Sequence, residues 1–103
     1  MALIKTQYLS KTEAELVACP AGKQQAVTTI VFCNVDTTAS KTFTLYAVPN
    51  GGTKVELLVG NTLDAGRSFS FDNERLILGP GDKLTAIATV AGKIAVTTSL
   101  MDL

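Results

Sequence analysis

One phrase occurs twice in this chain and constrains its fold more than any other feature. Leu16-Val17-Ala18-Cys19-Pro20-Ala21-Gly22-Lys23 is followed by Ala26-Val27-Thr28-Thr29-Ile30. Sixty positions on, Leu76-Ile77-Leu78-Gly79-Pro80-Gly81-Asp82-Lys83 is followed by Ala86-Ile87-Ala88-Thr89-Val90. Each copy reads as a short apolar strand, a Pro/Gly turn with a lysine on its far side, and a longer β-branched strand. Proline presets φ in such a turn, and glycine or aspartate tolerates the angles that close it. The two copies therefore predict two hairpins at matching places, and with them a two-sheet antiparallel sandwich with pseudo-symmetric halves.

Strand signals fill the rest of the chain. Leu3 to Leu9, Ala14 to Cys19, Gln25 to Asn34, Thr42 to Val48, Val55 to Val59, Ser68 to Phe71, Arg75 to Leu78, Leu84 to Val90 and Ile94 to Leu100 all qualify. Turn signals separate them every 8 to 12 residues or so, the spacing of sandwiches and barrels. Within Gln25 to Asn34, alternation puts Val27, Thr29, Val31 and Cys33 on one face and Ile30 and Phe32 on the other, which predicts cover on both sides. Thr42 to Val48 alternates with Phe43, Leu45 and Ala47 on one face. Pro49-Asn50-Gly51-Gly52 is the strongest turn signal, Val35 to Lys41 reads as a loop, and so does Gly60 to Gly66. Lys11 to Ala18 would suit an amphipathic helix, but its matching copy at Leu76 to Leu78 has no helical length, so a strand is expected. The fold class is all-β: one antiparallel two-sheet sandwich over residues 1–103, jelly-roll-like, with eight or nine strands. Strand order stays open, because jelly-roll and immunoglobulin-like sandwiches share strand count and turn spacing.

The 103 residues are enough for a single domain with its own core. Only 17% are charged while 47% are hydrophobic, against a usual charged share of about 25%. The exterior must then be faced largely with threonine and serine, as at Thr28-Thr29, Thr37-Thr38, Thr42, Thr44 and Thr97-Thr98. Such a surface is weakly hydrated and suits permanent contact with neighbours, although outward threonine is also good strand chemistry. Nine basic residues balance nine acidic ones, which argues against the phosphate-neutralising patch that nucleic acid binding requires. No apolar run approaches the roughly 20 residues of a membrane span, and Met1 to Gln7 has no secretion-signal pattern. The chain is expected to be made and folded in a cytoplasm, with neither nucleic acid nor membrane as a partner.

The residues that carry chemistry are sparse. There is no histidine and no tryptophan, which removes the usual proton carrier near neutral pH and the commonest ligand of catalytic metals. A metal-dependent cupin reading fails on residues for that reason. Serine or cysteine nucleophiles would have only carboxylate or lysine as a base. Cys19 and Cys33 read as two small buried thiols rather than a disulfide or a metal site, since two thiolates without histidine rarely suffice. Asp64, Asp72, Glu74 and Asp82 are the carboxylates that a glycosidase would need in pairs, but each falls in an expected turn, where aspartate serves the backbone. Gly51-Gly52 and Gly79-Pro80-Gly81 lack the following helix of a phosphate loop. Lys23, Lys83 and Lys93 follow turns and keep strand ends solvated. Only Tyr8 and Tyr46 are available to stack on a sugar ring.

The arrangement of Leu16 to Lys23, then Val31-Phe32-Cys33-Asn34, then Phe43-Thr44-Leu45-Tyr46-Ala47-Val48-Pro49 resembles small β-sandwich structural proteins of tailed bacteriophage virions. Leu63-Asp64-Ala65-Gly66 and the run Glu74 to Leu84 are similar to the second half of the same family, so the resemblance covers residues 14 to 98. Cys19 departs from the pattern, where a valine-type residue would run into the proline. The resemblance implies a non-enzymatic virion subunit: a capsid decoration or cement protein acting through protein–protein contacts, homo-oligomeric, with major capsid or tail proteins as partners and no cofactor. The alternatives are a small tail or baseplate component, or a receptor- or glycan-binding module of a fibre built around Tyr46, Asn50, Asn61 and Asn73. A small carboxylate hydrolase is a third class. Apolar residues at both ends mark candidate contacts: Leu3 and Ile4 at one, Leu100, Met101 and Leu103 at the other. These ends read either as arms reaching neighbours or as edge strands of the sandwich. No residue is expected to bind a metal or cofactor or to act catalytically.

Overall fold

The computed structural model describes residues 2–71 and 76–103. Among these residues nine strands are arranged as β1 (Ala2–Tyr8), β2 (Ala14–Ala18), β3 (Gln25–Asn34), β4 (Lys41–Val48), β5 (Val55–Leu63), β6 (Ser68–Phe71), β7 (Leu76–Leu78), β8 (Lys83–Ala88) and β9 (Ile94–Asp102). The first sheet runs β1-β9-β3, and β6 and β7 pair with successive halves of β3's far edge. The second sheet runs β2-β8-β4-β5. Every pairing is antiparallel.

This order has a simple origin. The Pro49–Gly52 turn, closed by the Gly52 N–H donating to the Pro49 carbonyl at 3.0 Å, makes β4 and β5 a hairpin. The two arms that leave it continue to pair outward: β3 with β6 and β7, β2 with β8, β1 with β9. One long hairpin is thus rolled up, and β9 with β3 and β8 with β4 close the roll. That is the jelly roll, with β6 and β7 together filling one strand position.

The repeated Pro/Gly turns take a different role from the expected hairpins. Strand β2 does not pair with β3, nor β7 with β8; each turn carries the chain from one sheet to the other. They are the same corner of the roll on its two arms, so they lie side by side. The Cys19 N–H donates to the Asp82 carbonyl at 2.9 Å, and the Gly81 N–H returns a bond to the Cys19 carbonyl at 3.0 Å. Gly81 holds φ at +83°, a left-handed angle that costs other residues about 1–2 kcal/mol. The Asp82 carboxylate accepts from the Asn50 and Gly79 N–H groups at 2.8 and 2.9 Å, tying the corner to the central turn.

Two bulges also alter the expected register. Between Val27 and Thr29 the pairing with β9 shifts by one residue. Val27 therefore joins Ile30 and Phe32 in the core, while Thr29, Val31 and Cys33 face outward. Strand β5 continues through Gly60, Asn61 and Thr62 to Leu63, where a loop was expected; Gly60 absorbs the irregularity at φ +54°. The core lies between the sheets, with Leu9, Leu16, Val17, Leu45, Leu84, Ile94, Val96 and Leu100 fully buried. Phe32 of the first sheet stacks on Phe43 of the second, with centroids 4.0 Å apart and planes at 16°, a pairing worth about 0.5–1.5 kcal/mol beyond its burial. At the far end of the roll Asn34 is completely buried. Its Nδ2 donates to the carbonyls of Ala39, Leu63 and Asp64 at 3.0, 3.0 and 3.3 Å, and its Oδ1 accepts the Asp36 N–H at 2.9 Å.

A candidate interaction surface

The two faces of the sandwich differ in one property. On the outer face of the first sheet, β1 presents Ile4, Thr6 and Tyr8, β9 presents Ala95, Thr97, Ser99 and Met101, and β3 presents Ala26, Thr29, Val31 and Cys33. The far edge adds Ser68 and Ser70 from β6 and Ile77 from β7. Among the described residues no charged side chain lies on this face. Its relief is set by four large apolar side chains: Ile4, Tyr8 and Ile77 are 71%, 61% and 66% exposed, and Met101 is exposed as well. Serine, threonine, alanine and valine fill the centre. A sheet packed on one side normally carries polar and charged residues on the other; here the hydration is left to hydroxyls alone.

The second sheet carries the charge. Lys54 bonds Glu13 at 2.7 Å and lies 4.3 Å from the centroid of the Tyr46 ring, while the Thr85 hydroxyl donates to the other Glu13 oxygen at 2.7 Å. The Lys54 and Thr85 hydrogen bonds hold the Glu13 carboxyl below its ordinary range, and the bond to Glu13 raises Lys54. Lys83 and Glu15 form a further pair at 3.3 Å. Strand β1, the open edge of the first sheet, turns Lys5 toward the sandwich interior side, where it stays exposed. An inward-pointing charge on an edge strand disfavours edge-to-edge pairing with other chains.

The termini come together because β1 and β9 are neighbours, with Ala2 opposite Met101, Leu3 opposite Leu100 and Ile4 opposite Ser99. Ile4 and Met101 stand on the uncharged face, and Leu103 is exposed just beyond it, anchored by its N–H to the Gln24 carbonyl at 2.9 Å. Leu100 departs from that set: it is fully buried, facing inward with Val27, and belongs to the core. The reason is parity, since side chains alternate along β9 and Met101 takes the outward position. The Leu3 side chain lies outside the described residues. Sequence reasoning did not name Tyr8, Thr97, Val31, Cys33 or Ile77 as members of one surface; the two-residue period marks each strand's outward set, but only the strand order assembles them.

Other candidate sites look different in three dimensions. Asp64 follows Leu63, which pairs with the first residue of β4, whereas Asp82 precedes Lys83, which pairs with its last. The two are separated by the length of an eight-residue strand, about 23 Å at the usual rise, while glycosidase carboxylates stand about 5–9.5 Å apart. Asp72, Asn73 and Glu74 lie outside the described residues. The Asp82 carboxylate is held below its ordinary range by the Asn50 and Gly79 N–H groups. Cys19 is buried with its Sγ near the Lys23 and Leu78 carbonyls, and Cys33 is half-buried on the outer face; both are free thiols. Lys54 covers the Tyr46 ring that a sugar would stack on. A cleft of about 200 Å³ between β7, β4 and β8 is lined by Ala47, Val48, Leu76, Leu78 and Leu84, and its one carboxylate, Asp82, is already engaged.

No family model matches this chain, and no curated protein matches it. Among solved structures it is similar to a chain of the Bacillus endospore appendages, described as a family of disulfide-linked pili. The TM-score is 0.56 at 18% identity, over 97% of this chain and 82% of the other. That likeness shows a shared two-sheet fold.

Proposed function

We propose that this protein is a non-enzymatic structural subunit that works by protein–protein contact in a larger assembly, and specifically a decoration or cement subunit of a tailed-phage virion. The observation that carries the reading is the outer face of the first sheet, which bears no charged side chain among the described residues. An isolated domain loses little by placing lysine and glutamate on such a face and gains solubility from them. A face kept free of charge across β1, β9, β3 and β6 fits a surface that is covered in use. Contacts of this kind, weak singly, become durable when one subunit meets several neighbours at once.

Two further points support assembly. The chemistry-bearing residues are sparse and those described serve the fold: Asp82 fastens turns, Cys19 sits in a corner, and Asn34 ties loops together. A chain of similar fold builds pili, which is assembly work, though in a different setting. The virion assignment rests on the resemblance carried by residues 14–98. Its test is the protein content of gradient-purified phage particles from the source of this sequence. The expected result is this chain in a fixed integer ratio to the major capsid protein, released without loss of the shell. Particles that lack it, with the chain recovered only from the soluble fraction, would refute the virion assignment.

A further inference from the structure

We propose that the Asn50-Gly51 link, at the turn about which the roll is wound, is a spontaneous modification site where asparagine converts through a cyclic imide to isoaspartate and aspartate. The Gly51 amide nitrogen gives its proton to solvent base and bonds to Asn50 Cγ, and the Nδ2 group leaves as ammonia. Water then opens the five-membered ring. Breaking the bond from nitrogen to Cγ leaves aspartate. Breaking the bond from nitrogen to the main-chain carbonyl leaves isoaspartate, whose backbone runs through Cβ and Cγ. One water is taken up and one ammonia is lost, with no oxidant or enzyme required.

The structure separates this asparagine from the two others among the described residues. Asn34 is completely buried, its side chain is bound to four main-chain groups, and β-branched Val35 follows it. Asn61 is held extended in β5 opposite Phe43, and β-branched Thr62 crowds the nitrogen that would attack. Asn50 is exposed, its side chain enters no hydrogen bond among the described residues, and Gly51 puts no Cβ beside the nitrogen. Gly51 has φ +71° and no other residue type takes a positive φ, so Pro49–Gly52 is a type II turn. Ring closure needs the Asn50-Gly51 peptide plane to rotate until its nitrogen faces Cγ. Glycine tolerates that rotation at either sign of φ, and the bond from Gly52 to Pro49 is the one turn bond that yields. The bond from the Asn50 N–H to Asp82 lies on the other side of Cα and can stay closed. The reaction therefore proceeds from a local opening rather than from the unfolded chain.

The product disturbs the corner. A Cβ added to Gly81 would come within 2.5 Å of Asn50 Cγ and 2.6 Å of its Nδ2, so the side chain rests directly on that glycine. Isoaspartate draws Cγ into the main chain, away from Gly81, and lengthens the link between β4 and β5 by one methylene. It also sets a new carboxylate on Cα, beside the N–H that meets the Asp82 carboxylate at 2.8 Å, and like charges at that range repel.

The test is long incubation of the full chain at neutral pH, followed by peptide mapping with fragmentation that distinguishes the isomers. Residue 50 should exchange NH2 for OH, with isoaspartate in excess, while Asn34 and Asn61 stay intact. The rate should change less than twofold in about 1 M urea, which multiplies the unfolded population roughly fivefold or more. Asn50→Gln, which would need a slower six-membered ring, should abolish the change and keep the fold. An Asn50 that stays intact, a rate that climbs in step with the unfolded population, or an equal mass gain in Asn50→Gln would overturn the site. The isoaspartyl form, separated by anion exchange, should melt below Asn50→Asp, which brings the charge without the methylene. Equal melting of the two would overturn the effect on the corner.

Discussion

Replacing Asn34 by aspartate changes one NH2 group into an oxygen and should make stability depend on pH in the opposite sense from the wild type. Asn34 is completely buried, and its Nδ2 faces three carbonyl oxygens at 3.0 to 3.3 Å. In Asn34→Asp those carbonyls lose their donor, at about 1 kcal/mol for each bond lost and up to about 3 for one left buried and unpaired. A carboxylate oxygen would then stand against them, and a buried, unpaired charge costs several kcal/mol more. The group escapes part of that cost by keeping its proton, so its pKa rises above the unfolded value of about 3.9. Below that value both states are protonated and only the hydrogen-bond loss remains, about 2 kcal/mol. As pH rises toward the raised pKa, the unfolded state releases its proton first and stability falls by up to about 1.4 kcal/mol per pH unit. At about pH 7 the loss should reach about 4–5 kcal/mol, a large part of the stability of a domain this size. Urea titrations at about pH 4 and about pH 7 measure both values. Asn34→Ala, which cannot titrate, should show a loss of about 2–3 kcal/mol at either pH. An Asn34→Asp loss under 1 kcal/mol at neutral pH, or one equal at both values, refutes the assignment of Nδ2 as the donor that ties these loops.

The wild type should show the reverse trend. Asp36 is held well below the usual carboxylate range, first by the Thr38 N–H, then by the Thr38 hydroxyl and Lys41, and Asp82 and Glu13 are also lowered. Depressed folded-state values stabilise the fold above the unfolded pKa, so stability should hold from neutral pH down to about pH 4 and fall below it; Asp36→Asn and Asp82→Asn together should flatten that acid limb, and an unchanged limb would count against these bonds. Leu100→Ala should cost about 2–5 kcal/mol as a core truncation, whereas Leu103→Ser should stay within about 0.5 kcal/mol; equal effects in thermal melts would place Leu100 wrongly. Cys33 on the outer face should alkylate well before buried Cys19 in native protein, as peptide mass mapping would show. Equal rates for the two thiols would contradict their different burial.

Much of the local structure is written in the sequence. Gln25–Asn34 and Ser68–Phe71 form strands with the bounds their β-branched and aromatic runs indicate, because strand formation follows side-chain preference and turn residues a few positions away. The uncharged surface is foreshadowed as well, since so few charges cannot cover every face. Partner choice is different. A Pro/Gly turn bends the chain equally well whether the next strand pairs with the previous one or crosses to the opposite sheet, so the repeated phrase gave corners and not hairpins. One signal pointed to the truth: Cys19 and Asp82 stand equally far from the Asn50-Gly51 link, as two arms of one hairpin must. Strand β5 hid its second half because Gly60, Asn61 and Thr62 have turn chemistry, and only pairing with β4 holds them extended.

The surface shows the same division. Where a strand has no bulge, sequence alternation determines which of its residues share a face, so it separates Thr97 from Thr98 and Met101 from Leu100, whereas the bulge in β3 moves Val27 away from Thr29. It does not determine which of the two faces is buried, because that depends on the sheet that packs against it. Nor does it assemble Tyr8, Thr97, Val31 and Ser70, which come from four separate strands, into one surface. Those contacts are long-range, and their energy is gained only once the roll has closed. The sequence therefore determined the strands, the corners and the scarcity of charge. The tertiary structure decided that, among the described residues, the outer face of the first sheet would carry no charge while the second sheet carries its ion pairs.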